Sequence, residues 1–213
     1  VDGEPFVMLA GELHNSSASS MAYMEPVWDH LVALNLNTVL ATVTWELTEP
    51  VEGQFDFSLV DGLLEGAREH DLKLVLLWFG SWKNGVSSYI PTWVKKDLER
   101  FPRAQGKNGN NKLVLSPVHE SSQKADAAAF AALMRHVCQV DSDERTVIMV
   151  QVENEVGLMP ESRDHSPAGE AAFRREVPEA LMSYLERHRD ELLPELRASA
   201  RTHASAIRPS SMR

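Results

Sequence analysis

The 213 residues, 43% hydrophobic and 24% charged, have the balance of a soluble globular protein long enough to bury a sizeable core. The net charge is −10, and residues 197–213 carry four arginines and no acid, so the body of the chain is more acidic still, which disfavours nucleic acid or an anionic membrane as its main partner. A single cysteine, Cys138, rules out an internal disulfide framework, and no run approaches the roughly 20 apolar residues of a membrane span.

The chain opens at Val1 with no signal-like segment, and its compartment is not readable from this end. Residues 5–12 (PFVMLAGE) read as a first short buried strand, followed by a helical pattern over 22–35. A second strand is expected over 37–45 (NTVLATVTW) and a second helix over 58–70, with Ser58 placed to cap it and Asp61 in its first turn. The third strand, 72–80 (LKLVLLWFG), leads into a long connection over 81–124 with no clear strand. Its tryptophans and Tyr89 favour a packed loop beside a site, while GKNGNN (106–111) reads as a flexible turn. A helix over 125–140 precedes the fourth strand, 146–154 (TVIMVQVEN), and a last helix is expected from about 168 to 192. Cys138 falls among apolar neighbours of the third helix and is expected to be buried and inert.

Strand and helix alternating four times predict an α/β fold of parallel strands with helices packed outside them. The strands are apolar along most of their length, as expected when both faces are covered. Each then turns polar at its C-terminal end: Glu12 and His14; Thr44, Trp45, Glu46 and Glu49; Trp82, Lys83 and Asn84; Gln151, Glu153, Asn154 and Glu155. In a (β/α)₈ barrel that end carries the active site. An open doubly wound sheet would also bind ligands there, but the first βα turn, GELHNSSASS, lacks the glycine pattern that cradles a pyrophosphate. The reading is a partial (β/α)₈ barrel of about four βα units.

Tryptophans beside acids and amides are the composition expected of a carbohydrate site, because sugar rings stack on aromatics and their hydroxyls need bidentate polar partners. Glycoside hydrolysis needs two carboxylates flanking the bond, and Asn154 with Glu155 fits the proton-donating end. Bland readings stand beside this one. Trp28, Trp45, Trp78 and Trp93 can be core, and Glu153 can cap a helix or pair with an arginine. His14, His119 and His165 lack the spacing of a zinc site, and no metal or cofactor is expected.

Several segments together make the chain resemble family 35 glycoside hydrolases, a β-galactosidase family. They are LAGELHNSSASS (9–20), LNLNTVLATVTWELTEPVEGQFDFSLVDGLL (34–64), LLWFGSWKNGVSSYIPTWVK (76–95), RFPRA (100–104) and VQVENEVG (150–157). The broader family carries G-P-Y-x-x-A-E after strand three, where this chain has GSWKNG. The resemblance implies that Glu155 is the general acid/base and Asn154 its sugar-binding companion. It also implies that Trp82, Lys83 and Asn84 wall the galactose subsite, with Glu12, Trp45 and Glu46 as further sugar or structural contacts. The substrate it implies is a β-galactoside oligosaccharide or polysaccharide side chain, in a bacterial periplasmic or secreted setting.

Four βα units use the whole chain, whereas an eight-stranded barrel takes roughly 250 residues. Strands five to eight, and with them the strand-seven nucleophile of the family, are therefore expected to lie outside these residues. Residues 1–196 read as the N-terminal part of the barrel domain and 197–213 as a disordered or unrelated tail. Two functions stay open: the first half of a retaining β-galactosidase, or a non-catalytic galactoside-binding module. Open edges on strands one and four are expected to promote self-association.

Overall fold

A computed structural model describes residues 1, 3–194, 196 and 197. Residues 198–213, where most of the expected tail lies, fall outside them. The chain divides into two compact units, Val1–Ala172 and Phe173–Arg213.

The first unit is built on four parallel strands: β1 (Ala10–Glu12), β2 (Thr38–Thr44), β3 (Lys73–Phe79) and, fourth in the sheet, β6 (Val147–Val152). Their spatial order follows the chain, β1-β2-β3-β6. Each step is bridged by a helix: α1 (Met21–Ala33), α3 (Ser58–Glu69) and α5 (Glu120–Asp141). Two short helices, α2 (Trp45–Thr48) and α4 (Thr92–Lys96), lie in the loops that leave β2 and β3. The alternation expected from the sequence is present, and the sheet has the order of the first half of a (β/α)₈ barrel.

β2 and β3 are buried on both faces because alternate residues enter two different cores. Val39, Ala41, Val43, Leu74, Leu76 and Trp78 join the helices in the larger one. Val75, Leu77 and Phe79, with Leu40, Tyr89 and Ile148, form the smaller one on the opposite face. α1 turns Met24, Trp28 and Leu31 toward the sheet, and α3 turns Val60, Leu63, Leu64 and Ala67. The two helices meet closely because Gly66 lacks a side chain: a Cβ there would stand 2.6 Å from the buried Trp28 indole.

The turns that lead from helix to strand share one device. Asn35, Asp71 and Arg145 have φ of 57°, 55° and 49°, the left-handed conformation that ends a helix and redirects the chain. After α1, Leu36 N donates to Leu31 O, and after α3, Leu72 N donates to Ala67 O, the six-residue closure of a Schellman turn. The turn after α5 is the longest of the three and recruits a side chain. Asp141 accepts hydrogen bonds from Thr146 N at 3.0 Å, Val147 N at 2.8 Å and Arg68 Nη2 at 2.5 Å. Burial alone would raise the Asp141 carboxyl, but the Val147 amide, Arg68 and Thr146 together hold it below its ordinary value.

Several expectations need correction. The first strand is three residues, not eight. β1 is an edge strand, and residues 7–9 are held instead by the Asn37 side chain, which accepts from Leu9 N and donates to Val7 O at 2.9 Å each. The connection over 81–124 contains an antiparallel hairpin, β4 (Arg103–Gln105) with β5 (Asn111–Leu115), closed by the turn around Gly109 at φ 78°. Strands so short and partly charged give no periodic signal. Ser58 is the first residue of α3 rather than its cap, and the Asp56 side chain accepts its amide at 2.9 Å. Cys138 is exposed, because it falls outside the stripe of Ala129, Leu133 and Val137 that faces the core. The last helix is two, α6 (Pro167–Phe173) and α7 (Glu179–Arg187), since Pro178 has no amide hydrogen and disfavours helix at Val177 before it. In the second unit, α7 buries no residue, and Tyr184 stacks on His188.

Candidate active site

β6 ends in two residues with unusual backbone. Glu153 has φ 64° and Glu155 has φ 40°, conformations that cost non-glycine residues about 1 kcal/mol each. Such strain persists where surrounding contacts over-determine it, and it concentrates at functional sites. Here the contacts are visible. The Glu153 carboxyl turns inward, accepting Ser81 N at 3.1 Å and Trp82 N at 2.7 Å. The Asn154 side chain donates to Lys83 O at 2.9 Å and accepts from Gln151 Nε2 at 2.8 Å. The β6 terminus thus grips the three residues Ser81, Trp82 and Lys83.

Asp126 of α5 holds the same segment from the other side, accepting Trp78 Nε1 at 2.9 Å and Ser81 N at 2.7 Å. Burial, reinforced by the neighbouring Asp126, pushes the Glu153 carboxyl up to about 9, so it carries a proton at neutral pH. Neither the bland nor the functional reading of Glu153 from sequence anticipates this: it neither caps a helix nor pairs with an arginine, but fastens a loop. Asp126 escapes the sequence reading altogether. Its signal is an acid on the same stripe of α5 as Ala129, Leu133 and Val137, where an apolar residue is expected.

Glu155 is exposed and lines an open cleft of about 430 Å³ with Asn84, Gly85, Val86, Val156, Gly157 and Met159. It is the only carboxylate among the described residues lining that cleft. Asn84 is ordered by its own turn, its Oδ1 accepting Val86 N at 3.0 Å and both Ser87 N and Oγ at 2.8 and 2.9 Å. Glu155 and Asn84 therefore line one cleft, and Asn154, next to Glu155, is tied to the Lys83 carbonyl beside Asn84.

The other expected sugar contacts sit deeper or farther away. Trp82 is 7% exposed and centres a small core with Ala104, Val114 and Leu158, so the hairpin packs on the residue expected to face a sugar. Lys83 is buried, with Nζ 5.2 Å above the Phe79 ring. Trp45 is fully buried, its Nε1 donating to Glu49 Oε2 at 2.7 Å and its ring edge-on to Trp93; it is a core residue, not a sugar face. Trp28 and Trp78 are likewise core. Glu46 is engaged by Lys95 Nζ at 2.7 Å, and Glu12 is exposed at the end of β1. His165 is hydrogen-bonded to Glu170 at 3.0 Å. Among the described residues no three histidines, cysteines or acids gather as a metal site requires, and no helix is long and apolar enough to cross a membrane.

Comparison with known proteins matches residues 22–190 to the glycoside hydrolase family 42 profile, described as β-galactosidase. A β-galactosidase of Xanthomonas manihotis is 44% identical over 57 residues, which are 27% of this chain and 9% of that protein. Among solved structures, a catalytic mutant of a family 42 β-galactosidase from G. stearothermophilus superposes with TM-score 0.58 at 17% identity, over 84% of this chain and 24% of that one. A β-galactosidase from the haloarchaeon Halorubrum lacusprofundi superposes with TM-score 0.57, also at 17% identity, over 75% of this chain and 22% of that one. At such identities the superpositions speak for the fold, and this chain spans about a quarter of the length of either structure. The family number read from the sequence is corrected: the match is to family 42, not family 35. The segment after β3, where GSWKNG stands in place of G-P-Y-x-x-A-E, was where this sequence departed from family 35. The partial barrel, the polar strand ends and a match covering most of the chain together mean that this chain belongs to glycoside hydrolase family 42, a family of β-galactosidases.

Proposed function

We propose that this chain supplies the acid/base half of a retaining β-galactosidase site, with Glu155 as the general acid/base. The observation that carries the reading is the Asn154-Glu155 pair at the end of the fourth parallel strand, fastened to the β3 loop through Asn154 and open to a cleft through Glu155. In that role Glu155 protonates the departing glycosidic oxygen, then takes a proton from the water that releases galactose. Asn154 and Asn84 offer amide groups to the sugar hydroxyls. Trp82 and Lys83 form the packed base of that wall, and Glu12 and Glu46 stand on the rims of the neighbouring strand ends. Trp45 supports this end of the sheet from within the core. A retaining mechanism needs a second carboxylate about 5 to 5.5 Å away on the opposite face of the sugar. In this proposal it comes from segments of the full enzyme beyond the cleft described.

The single carboxylate in the cleft also favours a second reading, a module that binds a galactoside without cleaving it. An aryl β-galactoside assay on the full enzyme that contains this chain, with galactose binding measured alongside, separates the two. Turnover that Glu155→Gln abolishes supports catalysis, and binding without turnover supports the module. Turnover untouched by Glu155→Gln removes Glu155 from the chemistry, and neither turnover nor binding overturns both readings.

A further inference from the structure

The chain leaves β3 at Gly80, where an added Cβ would collide with Asp126 Oδ1 and Trp78 Nε1. That close passage brings two carboxyl groups onto one short piece of backbone. Ser81 N is divided between Asp126 Oδ2 at 2.7 Å and Glu153 Oε1 at 3.1 Å, while Trp82 N serves Glu153 Oε2 at 2.7 Å. Trp78 Nε1 takes the remaining Asp126 oxygen at 2.9 Å. Three neutral donors thus face four oxygens. Two carboxyl groups that share an amide hydrogen and have no cation between them repel each other strongly when both are ionised, and a proton held between them turns the repulsion into a hydrogen bond.

The surrounding charges leave that arrangement in place. On the β3 side, the Lys83 ammonium is drawn over the Phe79 ring. At the start of α5, His119 lines a hollow of about 250 Å³ together with Asp126. On the β6 side, Glu155 follows two residues after Glu153 and is turned to the cleft.

We propose that Asp126 and Glu153 are positioning residues: a two-carboxyl latch that holds one proton and, through the Ser81 and Trp82 amides, sets residues 82–84 against the Glu155 cleft. The latch is closed when the proton is present and opens when it leaves. What the latch positions rests on the galactoside reading of that cleft; the latch itself does not. The Glu153 carboxyl, at about 9 in the closed state against 4.5 in an open one, gives the direction: closure is strongest at low pH and weakens as pH rises.

Residue-resolved amide hydrogen exchange on the full chain tests this. In the wild type, protection of the Ser81 and Trp82 amides is expected to fall with rising pH, by at most about tenfold per pH unit between about 5 and 9. Glu153→Gln places an amide donor where the proton sat, so protection is expected to stay level over that range, within about twofold, the scatter of such context-dependent contacts. Glu153→Ala loses the Trp82 protection at every pH, while the Ser81 amide keeps Asp126 as its acceptor. Level protection in the wild type, or a Gln variant that follows the wild type downward, overturns the latch. Galactose titrations, read from the Asn84 and Glu155 amides, supply the second arm. Affinity is expected to weaken with pH in step with the lost protection in the wild type and to hold level in Glu153→Gln; affinity indifferent to the latch overturns the positioning role. If no variant binds galactose, the galactoside reading of the cleft fails, and the exchange data still decide the latch.

Discussion

The two ends of the sheet solve the same problem by different chemistry. Where helices turn into strands, each turn has one left-handed residue, Asn35, Asp71 or Arg145; after α1 and α3 the backbone closes its own hydrogen bonds, and only the longer turn after α5 adds a carboxylate, Asp141. Where strands β2, β3 and β6 run out, the loops are long and irregular, and outside the β4–β5 hairpin several of their amides take no backbone partner. Buried or half-buried carboxyl groups take them instead. Glu49 accepts Gly53 N and Trp45 Nε1, Asp126 and Glu153 accept Ser81 N and Trp82 N, and Asp164 accepts Gln105 N and Ser166 N. A buried amide without a partner costs about as much as a lost hydrogen bond, so a loop that leaves regular structure needs acceptors from side chains. The repeating end is therefore fold, and the carboxyl-fastened end is free to differ from loop to loop.

The comparison can be broken most severely at Glu155. Glu155→Gln is expected to lower any aryl β-galactoside turnover by about 100- to 10,000-fold, the range for loss of a general acid/base, while the thermal midpoint stays unchanged because the side chain is exposed. Next comes Asp164, which is 4% exposed and also accepts Ser116 Oγ at 2.6 Å. Asp164→Ala leaves several buried donors unanswered and is expected to destabilise by about 3 kcal/mol in urea unfolding. Gly66→Ala improves helix propensity yet should destabilise by about 1 to 3 kcal/mol, because the Trp28 ring has no room to yield. At the repeating end the effect is small and opposite in sign. Asp71→Gly relieves a left-handed residue and is expected to stabilise by about 0.5 kcal/mol, visible as a raised urea midpoint. The sheet edges sharpen the contrast sideways. Met149 and Val152 on β6 are more than half exposed, so the chain on its own is expected to self-associate, and sedimentation as a compact monomer would count against that.

Much of the frame was legible because it rests on period and composition. β2 announced itself through its β-branched threonines and valines, β3 through a continuous apolar run, and α3 through its apolar stripe. The Asn154-Glu155 end of β6 was legible for the same reason, since a strand that closes on acids is conspicuous. Asp126 was not, because its partners Ser81 and Glu153 lie 45 and 27 positions away, and an acid on the core-facing stripe of α5 signals burial without saying what it holds. Trp45 and Trp82 misled in the opposite direction. An indole beside an acid reads alike whether it meets a sugar or, as here, the Glu49 carboxyl and the β4–β5 hairpin. The hairpin itself escaped because strands of three and five residues carry too few alternations to register.

By itself, then, the sequence determined the order of the four parallel strands and the helices that bridge them, and the end of the sheet at which acids and amides gather. Those follow from hydrophobic period and local chirality, which act between near neighbours. The tertiary structure alone decided which tryptophans are core, which acids fasten loops, and that Glu153 keeps its proton. Those depend on distances between residues far apart in the chain, and on the loss of water around a carboxyl group that only folding brings about.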